Sequence, residues 1–199
     1  MKTICYLLTT VILYSCKKDQ ALPETEPNTL MMYQELGNQE IGVGTSQSID
    51  IDQNGTNDLF FSITERTNPI TGINEYCAIV FNLTGTYFPV KNEDQVPILS
   101  LGDKIHKDFF KTPTYKWSPW NTTYLAKKQI NLSSTHNWEG PWVGGSHKYI
   151  PFFIEWILGS LTYGWIEISF DANRDKIILH RSAVAHINEF NKVVRAGNS

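Results

Sequence analysis

Short apolar runs separated by polar turns recur along most of this chain. Residues 48–52 and 59–64 alternate apolar with polar positions, which is the period of a strand with one buried face. Other runs are rich in β-branched and aromatic residues, as strands are. These runs lie at 76–83, 149–158, 163–170 and 176–180. Because no segment shows a convincing helical period, the pattern predicts an all-β protein.

The segments between these runs carry turn-forming residues. Pairs such as Asn54-Gly55, Thr71-Gly72 and Gly159-Ser160 let the backbone reverse direction. Many short strands at this spacing are typical of an antiparallel β-sandwich or a partly closed barrel. The chain has 199 residues, 41% of them hydrophobic, which is enough for a single domain of this kind. We assign that β-rich domain to residues 30–199.

The stretch from residue 91 to residue 145 is harder to interpret, because it has the composition of a loop. An irregular stretch of this length is unusual in a compact domain. We therefore expect it to contain strands at residues 96–101 and 123–132. Residues 188–194 fit either a brief helical turn or a last edge strand.

The start of the chain has the pattern of an export signal. Lys2 supplies a positive charge, and residues 4–14 form an apolar segment too short to span a bilayer as a helix. Leu13-Tyr14-Ser15-Cys16 resembles the bacterial lipobox. The resemblance implies that a signal peptide, residues 1–15, is removed and that the Cys16 sulfur receives diacylglycerol. The alternative is an ordinary secretory leader with an incidental cysteine.

The residues after the cysteine resemble those of an anchored lipoprotein. Residues 16–29 are polar and contain Pro23 and Pro27, which is typical of a disordered, flexible tether. The start Cys16-Lys17-Lys18-Asp19 resembles lipoproteins of Bacteroidota, and Lys17 in place of an aspartate implies an outer-membrane destination. The membrane would then be a partner through the lipid, with the face of the membrane left open.

Charge and cysteine content narrow the function classes. The formal net charge is -3 and no basic stripe is visible, so nucleic acid is not expected as a partner. With Cys5 in the leader and Cys16 lipidated, Cys77 is alone, and we expect it to be a buried core residue without a disulfide. The sequence contains no H-E-x-x-H, G-x-S-x-G or P-loop motif.

Residues 50–58 read D-x-D-x-N-G-x-x-D and are the strongest candidate for a binding site. Gly55 permits a sharp turn that would fold the flanking oxygens around one point. The loop is not an EF-hand, because Phe61 occupies the position of the bidentate glutamate. The predicted ligands offer oxygens of the kind that Ca²⁺ prefers. They are Asp50, Asp52, Asn54 and Asp58 through their side chains and Thr56 through its backbone carbonyl.

Strands are predicted on both sides of this loop, so the segment resembles the calcium-binding β-hairpin loops of integrin-type repeats. The resemblance implies a structural Ca²⁺, since nothing nearby looks like a nucleophile or a base. Three carboxylates at one turn would also repel each other without a cation. The alternative is a plain hairpin, because Asn54-Gly55 is by itself a favoured two-residue turn.

A second resemblance lies near the end of the chain. Tyr163-Gly164-Trp165 follows the Gly159-Ser160 turn and resembles the YGW hairpin of exported bacterial proteins, including those with PEP-CTERM sorting tails. Those proteins often carry an acidic D-x-D-G-x-x-D loop earlier in the chain, and here the lipidation signal stands in place of the sorting tail. The resemblance implies fold and export rather than activity.

Aromatic and acidic side chains allow two further functions. Glu155 and Glu167 lie in adjacent predicted strands and would suit a glycoside hydrolase if both faced one cleft. Tryptophans in the irregular stretch would suit a glycan site if they were exposed, or else fill the core beneath the loops. These tryptophans are Trp117, Trp120, Trp138 and Trp142.

Taken with the leader, the loop predicts a membrane-anchored lipoprotein with a non-catalytic structural or surface role and one structural Ca²⁺. A glycan- or ligand-binding accessory lipoprotein is the alternative, with a glycan or protein partner. A glycoside hydrolase is the third hypothesis.

Overall fold

The computed structural model describes the chain from residue 29 to residue 198, with short gaps. The described residues are 29–83, 85–92, 94–110, 114–119, 122–130, 137–156 and 159–198. The leader, Cys16, nearly all of the expected tether, and Trp120 lie outside them. No helix in the described ranges is both long and apolar enough to cross a bilayer.

The described residues form antiparallel strands and one short 3₁₀ turn at Lys107–Phe110, as the alternating pattern predicts. The strands are β1 (Met31–Ile41), β2 (Ser46–Ile49), β3 (Leu59–Thr67), β4 (Asn74–Asn82), β5 (Thr86–Val90), β6 (Lys104–Ile105), β7 (Lys116–Ser118), β8 (Thr122–Gln129), β9 (Lys148–Glu155), β10 (Leu161–Asp171), β11 (Lys176–Ala185) and β12 (Val194–Arg195).

Two main sheets pack face to face in a sandwich-like arrangement. One sheet has the order β1-β11-β10-β9-β5-β7 and the other the order β2-β3-β4-β8, while β12 and β6 form a separate small pair. None of these sheets closes into a barrel. The all-β prediction is therefore confirmed in the part of the chain that the structure covers.

The main core lies between the two sheets. Leu59, Phe61 and Ile63 point inward from β3 at every second position, and Ile166 and Ile168 of β10 belong to the same cluster. This period-2 burial is what places one face of each strand on the core. Removing that apolar surface from water is the main stabilising term of the fold.

A second apolar cluster covers the outer face of the six-stranded sheet. Tyr163 and Trp165 of β10 lie there, under Ile105, Phe110 and Val194 from the elements outside the sheet. Strand β10 is consequently buried on both faces, which is why its sequence reads as an almost continuous apolar run. Cys77 of β4 is also fully buried, as expected, and burial raises the pKa of its thiol to about 11.

Most predicted strands are confirmed, and one is wrong. The run at 59–64 lies in β3, the run at 163–170 lies in β10, and the strand expected at 123–132 is β8. Residues 96–101 form no strand and make only the isolated bridge between Leu99 and Tyr149. Pro97 lacks the N–H that a ladder would need at this point.

Candidate metal centre

The acidic loop connects two paired strands. Ile49 at the end of β2 lies opposite Leu59 at the start of β3, so residues 50–58 close a hairpin, as the sequence predicts. Ile51 is buried and anchors the loop to the core. Gln53 and Gly55 have φ values of 58° and 88°, and this left-handed geometry turns the chain back on itself.

Two carboxylates face the inside of this turn. Asp50 accepts hydrogen bonds from the backbone N–H of Asn54, at 3.1 Å, and of Gly55, at 2.7 Å. Asp52 accepts from the same Asn54 N–H at 3.1 Å and from the Asn54 side-chain amide at 2.9 Å. Burial, together with the negative charge of Asp50, raises the pKa of Asp52. The donors are all neutral N–H groups, so they orient the charges without cancelling them.

Asp58 is the last residue of the loop, directly before β3, and is only 3% exposed. Its Oδ2 accepts the backbone N–H of Ile51 at 2.7 Å, and the Thr86 hydroxyl donates to its Oδ1 at 3.4 Å. Burial raises the pKa of Asp58 to about 6. The Ile51 hydrogen bond opposes that shift, and the negative charge of Asp52 adds to it. A buried carboxylate of this kind is stabilised by a cation.

The three carboxylates form a group that could hold a metal ion. Each offers an oxygen, and the three oxygens lie within 4.8 Å of one another. Oxygens bound to one Ca²⁺ at about 2.4 Å can be at most about 4.8 Å apart, so the spacing suits a single ion of this size. The remaining positions of its coordination shell would fall to carbonyl oxygens or water.

The other two predicted ligands, Asn54 and Thr56, take part in hydrogen bonds of the turn. The side-chain oxygen of Asn54 accepts the backbone N–H of Thr56 at 2.7 Å, and its amide donates to Asp52. Thr56 is exposed. The structure therefore brings Asp50, Asp52 and Asp58 together, and Asn54 serves the turn itself.

The described tryptophans do not share an exposed face. Trp138 and Trp142 are 5% and 0% exposed and belong to the core between the sheets. Trp117 packs on the opposite side of the six-stranded sheet, where its ring lies 4.6 Å from that of Phe153. Burial of this kind matches core-filling aromatic residues rather than a sugar-stacking platform.

Glu155 and Glu167 lie at opposite ends of the β9–β10 hairpin. Glu155 is opposite Leu161, and Glu167 is opposite Tyr149. Six residues of strand separate the two levels, which is roughly 20 Å at about 3.3 Å per residue. Glycosidase carboxylates lie about 5–9.5 Å apart, so these two do not form such a pair.

The sequence pattern does not predict a polar network that lies on the outer face of the six-stranded sheet. His180 Nε2 lies 2.7 Å from the Ser169 hydroxyl, and His180 Nδ1 lies 2.6 Å from the side-chain oxygen of Asn38. The backbone N–H of His147 donates to the same hydroxyl at 2.9 Å, and the His147 ring stacks on the His180 ring at 4.1 Å. Burial and the neighbouring His147 lower the pKa of His180.

This network ties neighbouring strands together. His180 is an extra residue in the β10–β11 ladder, where it has no partner between Glu167 and Ile168, and such bulges re-aim a side chain. Ser169 is only 8% exposed and its hydroxyl is already engaged, so the arrangement links strands rather than presenting a nucleophile. Asn38 and His180 are far apart in the chain, so no local sequence motif predicts their contact.

The description of the acidic loop and of the polar network rests on their geometry alone. No protein-family model matches the sequence, and neither the curated proteins nor the solved structures include a significant match to it.

Proposed function

We propose that this protein is an exported, lipid-anchored, non-catalytic β-sandwich protein whose acidic loop binds one structural Ca²⁺. The observation that carries the calcium assignment is the convergence of oxygens from Asp50, Asp52 and Asp58 within 4.8 Å. Without a cation, three negative charges at this separation repel one another, and Asp58 is in addition desolvated. A divalent ion turns that repulsion into attraction.

Calcium suits this loop better than magnesium. The candidate ligands are hard oxygens on an irregular turn, and Ca²⁺ accepts irregular shells of six to eight oxygens, whereas Mg²⁺ demands a tighter octahedron. The ion would also bind at the point where the β2–β3 hairpin meets the six-stranded sheet. Asp58 contacts Thr86 of β5 as well as the β2–β3 loop, so an ion there joins the hairpin to the second sheet.

The non-catalytic assignment rests on the surroundings of the loop. Its hydrogen bonds run to backbone and amide N–H groups, and the Thr86 hydroxyl at its base donates to Asp58. None of these groups is a strong nucleophile or a free base. Calcium would accordingly contribute stability rather than chemistry.

Thermal unfolding of the purified chain in calcium, in magnesium and in chelator tests the calcium assignment. At a calcium concentration a hundred times Kd, the gain is about 2.7 kcal/mol, which raises Tm by roughly 5–10 °C for a chain of this size. Magnesium should do less. Asp52→Asn should abolish the calcium response while the β spectrum is retained.

Asp171→Asn is the matched control, because Asp171 also accepts backbone N–H groups in a hairpin turn but lies far from the acidic loop in the chain. This variant should keep the full calcium response. A wild-type Tm that is indifferent to calcium would contradict the metal assignment and leave residues 50–58 as an ordinary turn.

The membrane anchor is proposed from Leu13-Tyr14-Ser15-Cys16 and needs its own test. Several acyl chains on one residue anchor a protein firmly, since each buried methylene adds about 0.8 kcal/mol. Wild-type protein should partition into the detergent phase of a detergent extraction, and Cys16→Ser should move it to the aqueous phase. Cys5→Ser, in the leader, should behave as wild type. If Cys16→Ser still fractionates with membranes, the lipoprotein assignment is wrong.

The outer-membrane destination is proposed from Lys17, which follows the lipidated cysteine. Density separation of inner and outer membranes should place the wild-type protein in the outer-membrane fraction. Recovery in the inner-membrane fraction would contradict this part of the proposal.

A further inference from the structure

A polar groove of about 690 Å³ opens at one side of the sandwich, where the chain passes from one sheet to the other. Its two walls are β1, the edge strand of the six-stranded sheet, and β2, the edge strand of the four-stranded sheet. A tight turn joins them, in which the N–H of Thr45 donates to the carbonyl of Gly42 at 3.1 Å. The strands diverge from this turn because each belongs to a different sheet, and the space between them is the groove.

The lining combines a small apolar floor with many side-chain amides. Leu36 and Ile49 form the apolar part, and Glu35 and Asp50 add two carboxylates. No residue that lines the groove carries a positive charge. The amides are those of Gln34, Gln39, Gln47, Gln53 and Asn57.

One of these amides carries a polar atom with no partner. The side-chain oxygen of Gln34 is buried and accepts no hydrogen bond. Ser182 lies opposite Gln34 in the β1–β11 register, and its hydroxyl is likewise buried without a partner. Residues directly opposite in an antiparallel pair point to the same face, so both unpaired groups lie on one side of the sheet. Ser182 is fully buried and does not line the groove, but Gln34 does, and rotation of its side-chain amide would bring the unpaired oxygen to a ligand. An unpaired buried group reduces stability, so a ligand that pairs with it gains a favourable contact.

The two walls are also linked to each other. The Gln39 side-chain amide donates to the Gln47 oxygen at 2.6 Å, which connects β1 to β2 across the groove. Gln47 donates in turn to the carbonyl of Ser48 at 2.8 Å. These contacts hold the amides in a defined arrangement before any ligand arrives, which favours binding because less side-chain entropy is lost.

We propose that this groove binds a neutral saccharide. A side-chain amide offers both donors and an acceptor, which matches hydroxyl groups that donate and accept. Glu35 accepts hydrogen bonds from hydroxyls but repels phosphates, sulfates and uronic acids, so the ligand is uncharged. Leu36, which is only partly buried, provides an apolar surface for the C–H face of a sugar ring. This site goes beyond the proposed calcium role and does not rest on it.

Isothermal titration calorimetry against a panel of neutral oligosaccharides tests the proposal. The panel holds β-1,4-, α-1,4- and β-1,3-linked glucans, xylan and mannan fragments, all titrated in millimolar calcium so that the acidic loop stays in one state. At least one fragment should bind the wild-type protein. Gln39→Ala, an exposed substitution, should weaken that binding at least about tenfold, which corresponds to about 1.4 kcal/mol.

Gln34→Met separates a binding role from a structural role. It keeps the side chain's length and removes the unpaired oxygen, so Tm should stay unchanged or rise while saccharide binding falls. Gln129→Ala, at an exposed glutamine of β8 outside the groove, is the matched control and should bind as wild type.

Three results would overturn the proposal. The first is that no fragment of the panel binds. The second is that binding is the same in Gln39→Ala and Gln34→Met as in the wild type, which would place the saccharide elsewhere. The third is that an extended, unglycosylated peptide binds the groove in place of any sugar, which would identify it as a strand-pairing edge.

Discussion

Glu167 and Arg181 face each other across the β10–β11 pair, and Arg181 Nε donates to Glu167 Oε2 over 2.6 Å. The other oxygen of Glu167 lies 2.7 Å from His147 Nδ1. Glu167 is only 4% exposed. Burial by itself would raise the pKa of this carboxyl, but the hydrogen bonds from Arg181 and His147 outweigh burial and hold the pKa below its usual range. The buried Glu167 carboxyl on the outer face of the six-stranded sheet is thus kept ionised by Arg181 and His147.

Removing the arginine should leave that charge poorly compensated. We expect Arg181→Met to destabilise the fold by about 3 kcal/mol, because breaking a buried ion pair strands the remaining charge. The double variant Arg181→Met with Glu167→Gln should recover part of the loss, since it removes the stranded charge as well. Denaturant unfolding of the three proteins measures both effects. Equal stability of wild type and Arg181→Met would show that the pair contributes nothing.

The ion pair of Glu167 and Arg181 predicts that the folding stability decreases in acid. The folded pKa of Glu167 is lower than its ordinary value of 4.5. Its stabilising contribution is therefore fully present above that ordinary value and is lost as the pH falls through the folded pKa. The stability difference between wild type and Glu167→Gln should shrink below about pH 4. A difference that stays constant from pH 3 to pH 7 would contradict this.

The raised pKa of Asp58 predicts the opposite pH dependence of folding stability in the metal-free protein. Its folded pKa of about 6 lies above its ordinary value of 3.8, so proton binding favours the folded state. That stabilisation is complete below about pH 4 and is lost as the pH rises through about 6, by at most about 3 kcal/mol. In chelator, Asp58→Asn should match wild type at pH 4 and exceed it at pH 7. If wild type in chelator is the more stable protein at pH 7, the carboxylate is compensated in some other way.

Gly164, the middle residue of Tyr163-Gly164-Trp165, should not tolerate a side chain. A Cβ at this position would overlap the ring of Phe152 and lie 2.6 Å from the carbonyl oxygen of Ala183. We expect Gly164→Ala to cost about 1–3 kcal/mol of stability, as overpacking does. Gly42→Ala is the control, because a Cβ there meets no atom within 4 Å. A Tm for Gly164→Ala equal to that of Gly42→Ala would contradict the packing argument.

The features that the sequence predicts correctly are local ones. The β3 and β10 strands are visible because alternation and β-branched content are properties of neighbouring residues. The acidic loop is visible for the same reason, since Asp50, Asp52 and Asp58 fall within nine residues bounded by strands. The β2–β3 hairpin brings oxygens of these three residues together.

The features that the sequence does not reveal depend on partners far away in the chain. Strand β1, with its polar residues and Gly37, looks like a loop and becomes a strand only because β11 pairs with it. The contact of Asn38 with His180 needs that pairing together with the bulge in β11. The groove forms only because β1 and β2, which are joined by one turn, belong to two different sheets.

The sequence by itself therefore determined the fold class and the acidic hairpin, because both follow from the spacing of side chains along a few residues. The tertiary structure alone decided which carboxylate is buried, which glycine has no room for a Cβ, and that the side-chain oxygen of Gln34 has no hydrogen-bond partner. Those outcomes depend on strand register and on the packing of two sheets, and register is set by residues more than a hundred positions apart, such as Gln34 and Ser182.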